Sequence, residues 1–293
     1  MSMLLGQLSS AQLLRSEHEY LWQGRGELKT IHWLEAFDVI RNEIPPRDTA
    51  YFQCLIHLNN GNQIPARKAI KHHAQVPNHR YPYETKILLG LANSSVYYTA
   101  YGHFVDAIKM NPKRVDGYLE KVKVFSDQKD YLSGIDHANE AIRLFPEFNE
   151  LYVYRGNLYI NEGLRKRAFK DFKHVIDSEK PLSDFYMAQA HRGLAWSYLG
   201  RNDVVQAEIH LMESKIMEAY HPLSQGILVE INYLKGDATG AIEAYESIIG
   251  TEDRENYYLM MGLAHEELNQ NEEACGFYKA CCRREIALAC VRS

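Results

Sequence analysis

The chain has 293 residues, of which 46% are hydrophobic and 24% are charged, the balance of a folded protein with a sizeable core. Its net charge of −5 argues against nucleic acid as the main ligand, because proteins that track phosphates need a sustained basic surface. It contains no long apolar run and no basic N-terminal signal region, so we expect a cytoplasmic protein without a membrane span.

A period of 34 residues organises the sequence. Residues 107–112 read Ala-Ile-Lys-Met-Asn-Pro, and residues 141–146, 34 positions later, read Ala-Ile-Arg-Leu-Phe-Pro. Extended along the chain, this period predicts a degenerate unit over residues 11–46 and then repeats that start near 47, 81, 115, 149, 188, 222 and 255. The step from 149 to 188 is longer than the others, which makes residues 180–187 either a longer surface loop or a hinge.

Each unit predicts two amphipathic helices. Apolar or small residues recur at positions 4, 7, 8 and 11 of a unit and again at 20, 24 and 27, which is helical spacing on one face. Turn-forming segments such as residues 161–163 separate the two stripes, and Pro112 and Pro146 follow the second stripe, where proline ends a helix. We therefore predict an all-α fold of about seven to eight tandem helix–turn–helix repeats.

These positions resemble the pattern of the tetratricopeptide repeat family. The matching residues are Tyr152, Gly156, Tyr159, Ala168 and Phe172 in one unit and Tyr258, Met261, Gly262, Ala274 and Tyr278 in the last. Departures occur where Gly134 replaces alanine and where Cys54 and Val122 replace glycine. The resemblance covers nearly the whole chain, and it implies a right-handed α–α superhelical solenoid with a concave groove that binds other proteins.

The resemblance also implies where ligands lie, on positions 2, 5, 9 and 12 of each first helix. The predicted groove residues are Tyr51, Leu55, Leu89, Lys123, Val153, Asn157, Arg192, Trp196, Glu230 and Tyr233. Trp196, Tyr51 and Tyr233 combine apolar area with a polar tip, as interface anchors do, and the Asn157 amide offers both a donor and an acceptor. The alternative is that neighbouring repeats cover this stripe, so that it is additional core.

The function predicted from these features is a non-enzymatic scaffold or adaptor that binds an extended or helical segment of another protein. One alternative is a structural subunit that packs against copies of itself or against other subunits. Another is binding of nucleic acid or a membrane surface through the basic segment 67–80. The residue pairs at positions 5 and 9 do not reproduce the two-carboxylate clamp with which some members of the family bind chaperone tails.

No signature of catalysis, cofactor binding or metal binding is found in the sequence. Residues 24–26 lack the third glycine of a dinucleotide-binding loop, and residues 265–269 lack the second histidine of a zinc protease. The last helix holds four cysteines without a Cys-x-x-Cys spacing, namely Cys275, Cys281, Cys282 and Cys290, so we expect them to pack as small apolar residues.

The C-terminal helix carries one further expectation. It is rich in apolar residues, and a terminal repeat needs a polar outer face. We therefore predict that the outer face of this helix, with Ile286, Leu288 and Val291, is covered. The cover is either a homodimer partner or a short cap formed by the chain from Glu285 onward.

Overall fold

The computed structural model of the chain describes residues 46–79, 81–180 and 182–282. Within these ranges all regular elements are helices and no strand occurs, so the predicted all-α fold of tandem helix pairs is confirmed. The degenerate unit up to residue 45 lies outside the described residues. So do Cys290 and the cover predicted for Ile286, Leu288 and Val291.

The chain divides into two compact units, the first ending at Phe145 and the second beginning at Pro146. Unit 1 contains α1 (Thr49–Asn59), α2 (Gln63–His73), α3 (Pro82–Ala92), α4 (Tyr97–Met110), α5 (Val115–Asp127) and α6 (Tyr131–Leu144). Unit 2 contains α7 (Asn149–Asn161), α8 (Arg165–Ile176), α9 (Asp184–Leu199), α10 (Val204–Met217), α11 (Pro222–Leu234), α12 (Ala238–Glu246), a 3₁₀ helix (Glu252–Tyr257), α13 (Tyr258–Glu267) and α14 (Asn271–Cys282).

The turn inside most helix pairs contains one residue with a left-handed backbone. In six of the seven described pairs this residue lies between the first and the second helix: Gly61, Lys129, Gly163, Asn202, Gly236 and Asn269. Gly163 has a φ of 69°, a conformation that glycine adopts without the steric strain of a Cβ atom. An aspartate then caps the second helix in three pairs, as when the Asp203 carboxylate accepts a hydrogen bond from the N–H of Gln206.

Between two successive helix pairs of unit 2, an aromatic ring packs against glycine positions of the neighbouring helices. Phe172 of α8 is completely buried. A Cβ atom on Gly156 of α7 would lie 2.7 Å from its ring, and one on Gly193 of α9 would lie 2.1 Å from it. The ring therefore occupies the space that these two glycines leave, and it joins α8 to both neighbouring first helices.

The longer spacing between the repeats that start at 149 and 188 is taken up by an additional turn at the beginning of α9. The helix α9 begins at Asp184, four residues before the start predicted from the period, and it has 16 residues. The segment before it is anchored by Asn149, whose Nδ2 donates to Ser178 Oγ at 2.8 Å and to the Lys180 carbonyl at 3.2 Å. That residues 180–187 act as a hinge stays a prediction.

Candidate functional site

A groove of about 570 Å³ lies along the first helices of unit 2. Its walls come from α7, α9, the start of α11 and the 3₁₀ helix. The lining residues are Asn157, Ile160, Asn161, Phe185, Gln189, Arg192, Gly193, Trp196, His221, Leu223, Ile227, Asn256 and Tyr257. Pockets of this size hold a small molecule or a few side chains of a peptide.

Trp196 forms one wall of the groove. It is half-buried and packs beside the core cluster that includes Ala195 and Leu199. The guanidinium carbon of Arg165, the first residue of α8, lies 3.9 Å from the centre of the Trp196 ring, within the range of a cation–π contact. Burial raises the pKa of Glu230, while the positive charge of Arg165 opposes this shift. The region around Trp196 thus carries a positive charge next to a large apolar ring.

An amide pair lies in the middle of the groove. Asn157 Nδ2 of α7 donates to Gln189 Oε1 of α9 at 2.9 Å. An amide side chain has a donor group and an acceptor group, so each member of the pair keeps hydrogen-bonding capacity beyond this contact. Such groups match the N–H and C=O groups of a peptide backbone.

Arg192 is held at the base of the groove by acidic and hydroxyl groups. It is buried, and its Nη1 donates to Glu218 Oε2 at 2.6 Å and to Ser214 Oγ at 3.4 Å. Next to it, His221 Nδ1 accepts from the N–H of Leu223 at 3.2 Å and caps α11. Burial and the charge of Arg192 lower the pKa of His221, while Glu218 opposes the shift. His221 is therefore neutral at pH 7, and the positive charge of Arg192 is balanced within the site.

Two large apolar side chains at the groove edge are exposed to solvent. Phe185 is 40% exposed and Leu223 is 49% exposed. These exposed apolar groups lie beside the Trp196 ring and the Asn157–Gln189 amide pair. The surface therefore offers apolar contacts for ligand side chains together with hydrogen-bonding groups for the polar groups of a ligand.

The predicted groove residues fall into two structural classes. At position 5 of the repeat the side chains are buried: Tyr51, Val153 and Arg192 are at most 5% exposed. Position 9 is half-buried in Leu89, Lys123, Asn157, Trp196 and Glu230, whereas Leu55 at the same position has no exposed surface. Tyr51, Leu55 and Val153 have no exposed surface, which is what the alternative of additional core predicts for these positions.

The unit 1 residues of the predicted groove have partners within that unit. Tyr51 stacks on Tyr81 with ring centres 4.5 Å apart, and Leu55 and Leu89 pack in the same apolar cluster. Lys123 Nζ donates to Glu120 Oε1 at 3.2 Å. In unit 2, Asn157, Arg192 and Trp196 line the groove together, whereas Val153, Glu230 and Tyr233 are not among its lining residues.

Several lining residues are not among the predicted ones. Gln189 lies at position 2 of its repeat, so the positional pattern contains the signal for it. Phe185 lies one turn earlier on the same face of α9, and only the extension of that helix to Asp184 brings it into the groove. Leu223 and Asn256 also lie at position 2 of their repeats, whereas His221, the cap of α11, and Tyr257, the last residue of the 3₁₀ helix, lie outside the stripe positions.

Three further features of the described residues concern metal binding, membrane spanning and the burial of cysteines. Among them, no group of three or more histidine, cysteine, aspartate or glutamate side chains is arranged to hold a metal ion. The helices of the described ranges include none that is long and apolar enough to cross a membrane. Of the C-terminal cysteines expected to pack as small apolar residues, Cys281 is buried and Cys275 and Cys282 are half-buried. Cys54 is also buried, and burial raises the pKa of its thiol.

Comparison with known proteins identifies the repeat. Residues 255–285 match the family model of the tetratricopeptide repeat. No curated protein matches the sequence significantly. A tetratricopeptide repeat protein from Parabacteroides merdae has a similar fold, with a TM-score of 0.56 and 16% identity over 80% of this chain and 91% of that chain.

Two further solved structures have the same TM-score. PilF of Pseudomonas aeruginosa is 14% identical over 71% of this chain and 94% of its own. The Cut9–Hcn1 hetero-tetramer of the APC/C is 12% identical over 91% of this chain and 48% of that chain. At these identities the likeness is one of fold. Together with the match at residues 255–285 it confirms the predicted resemblance.

Proposed function

Because this chain has the tetratricopeptide-repeat architecture, we propose that it is a non-enzymatic scaffold whose unit 2 groove binds an extended segment of another protein. Solenoids of this kind present extended surfaces to ligands, and protein binding is the general activity of such repeats. The observation that carries the proposal is the grouping of Trp196, Phe185 and Leu223 around the Asn157–Gln189 amide pair.

The chemistry of the groove favours an extended ligand over a helical one. The amides of Asn157 and Gln189 offer a donor and an acceptor near each other. An extended peptide has backbone groups available for such bonds, whereas those of a helix are already paired within the helix. Apolar side chains on the ligand would then pack against Trp196, Phe185 and Leu223.

Apart from the Arg165 guanidinium over the Trp196 ring, the balance of charge in the groove favours a ligand segment with few charges. The positive charge of Arg192 is paired with Glu218, and His221 is neutral at pH 7.

Nucleic acid is a weaker candidate. In the basic segment, Arg67 Nε donates to the Ala92 carbonyl at 3.0 Å and His73 is buried, so fewer cations of that segment face solvent.

Selection from a library of short random peptides tests the proposal. The full chain is used as bait, and selected peptides are measured by calorimetry against Trp196→Ala and against Ile64→Ala. Ile64 is 80% exposed on α2, in the other unit, and serves as the matched control. We expect a shared motif with apolar residues, lost affinity for Trp196→Ala and unchanged affinity for Ile64→Ala. Peptides that bind both variants equally would overturn the assignment of the groove.

A further inference from the structure

The helix α10 is apolar on two opposite faces. Ala207, Leu211 and Ser214 face the interior of unit 2 and are buried. On the opposite face lies a stripe that we call the outer stripe: Val205, 68% exposed, Ile209, 47%, Met212, 56%, and Ile216, 76%. Among the described residues, no other helix has more than two exposed large apolar side chains. Scattered exposed apolar residues need no explanation, but an aligned row of four does.

The spacing of the outer stripe is that of a helix-pairing seam. Its members are separated by four, three and four residues, the alternation of d and a positions in a coiled coil. With Ile209 and Ile216 at a and Val205 and Met212 at d, the stripe covers two heptads. A partner helix laid along α10 would thus insert its side chains between these four.

The charged residues beside the stripe select the orientation of a partner helix. Glu208 and Lys215 occupy g positions, and Gln206 and Glu213 occupy e positions. If a second α10 pairs in the antiparallel direction, Glu208 of each copy faces Lys215 of the other. In the parallel direction Glu208 would face Glu213 of the other copy, which is repulsive. The α10 sequence is therefore complementary to itself only when antiparallel.

We propose that a second copy of this chain covers the outer stripe, through an antiparallel two-fold pairing of α10 with α10. This arrangement closes on itself, because the same patch is used by both copies. It buries Ile209 against Met212 and Val205 against Ile216 of the other copy. The pair then presents two unit 2 grooves, since the groove residues lie on α7, α9 and α11 rather than on α10.

An anionic membrane surface is the competing occupant. The neighbouring helix α8 carries exposed Lys166, Arg167 and Lys170, which would favour anionic lipid. The stripe itself, however, is bordered by two carboxylates, Glu208 and Glu213, against one ammonium group, Lys215, so its border is net negative and would be repelled by such a surface. The residues nearest to the stripe thus favour a second copy.

Sedimentation velocity of the full chain tests the pairing. With two heptads per helix we expect a weak dimer, so the average mass should rise from one chain toward two between about 1 µM and about 100 µM. Ile209→Lys and Ile216→Lys should remain monomeric over that range with unchanged helical content, because both side chains are exposed in the monomer. Ile64→Lys, also on an exposed position, should dimerise as the wild type does.

A charge exchange tests the orientation. Glu208→Lys and Lys215→Glu should each weaken the dimer at least about tenfold. In either variant residues 208 and 215 carry the same charge, and the two-fold symmetry brings residue 208 of one copy opposite residue 215 of the other at two places. An equimolar mixture of the two variants should recover the wild-type association, since their contacts are again of opposite sign. Glu208 also bonds Lys235 Nζ of its own chain at 2.9 Å, so Lys235→Ala is the control and should dimerise normally.

Three results would overturn the proposal. One is a monomer at about 100 µM. Another is a dimer in which Ile209→Lys does not weaken association or the mixture of charge variants does not restore it. The third is wild-type binding to phosphatidylserine vesicles that Ile209→Lys abolishes while no dimer forms, which would assign the outer stripe to a membrane surface.

Discussion

The guanidinium of Arg165 lies over the Trp196 ring, with 3.9 Å between the guanidinium carbon and the ring centre. Arg165 begins α8, and Trp196 lies near the end of α9. The contact therefore joins the second helix of one pair to the first helix of the next, and it holds the indole in the wall of the groove. Trp196 is thus positioned by the fold while its remaining surface lines the cavity.

Trp196→Ala should separate binding from folding. Because Trp196 is half-buried, unit 2 should remain folded, while the affinity for a selected peptide should fall by about 2 kcal/mol or more if the ring is a central anchor. Calorimetry gives the affinity and urea denaturation gives the free energy of unfolding. If the variant unfolds, and folded variants of neighbouring groove residues bind normally, then Trp196 is a core residue.

Asn157→Ala should weaken peptide binding more modestly, by about 0.5–1.5 kcal/mol, the value of one hydrogen bond. The substitution removes the donor to Gln189 Oε1 and one of the two amides offered to a ligand backbone. Gln189→Ala is the companion variant and should have a similar effect. Unchanged affinity in both variants, measured with the same peptide, would show that the amide pair takes no part in recognition.

Gly193→Ala should destabilise unit 2, whereas Gly276→Ala should not. A Cβ atom on Gly193 would lie 2.1 Å from the Phe172 ring, so we expect a loss of about 1–3 kcal/mol in the free energy of unfolding. Gly276 lies in α14 with no atom within 4 Å of its added Cβ, and its replacement should stabilise the helix by about 0.5–1 kcal/mol. Equal stability of the two variants in urea would contradict the role given to the glycine contact.

Stability should fall below pH 6.5 through a pair of histidines. His191 Nδ1 and His210 Nδ1 are 3.0 Å apart and share one hydrogen bond. Burial lowers the pKa of both rings. The charge of His210 lowers the pKa of His191 further, and Glu213 opposes the shift of each. The charge of Lys173 also lowers the pKa of His210.

The sign of the pH effect follows from these lowered values. The folded state binds fewer protons than the unfolded state, so stability is retained above the ordinary pKa of 6.5 and lost as the pH falls below it. Urea denaturation at pH 7.5 and 5.5, as chosen test conditions of about one unit on either side of that pKa, should show this. The double variant His191→Gln/His210→Gln should have a smaller loss, and an equal loss would assign the effect to other groups.

The helix pairs are predictable from the sequence because their signals are local and periodic. The segments at 107–112 and 141–146, the glycine at 156 and the aromatic at 172 each lie at a position of the 34-residue period where helices of a repeat pack together. The division between buried position 5 and half-exposed position 9 is not predictable in this way. It depends on how closely the next pair approaches, as Tyr81 does when it stacks on Tyr51.

The groove is predictable only in part for a related reason. Asn157, Arg192 and Trp196 follow the repeat pattern and line it. Phe185 does not follow the pattern, because the extra residues before the repeat are folded into α9 and add a turn that the period cannot anticipate.

Phe172 and its two glycines also determine what can change in this protein. They hold α7, α8 and α9 together, and of the three residues Gly193 also lines the groove, beside Gln189 and Trp196. Because Phe185 and Leu223 are exposed and the side chain of Gln189 bonds that of Asn157 within the groove, we expect these three side chains to be exchangeable without moving the helices. Under the function proposed above, grafting a new set of residues at Phe185, Gln189 and Leu223 should therefore redirect the groove to a different ligand while the packing around Phe172 is kept.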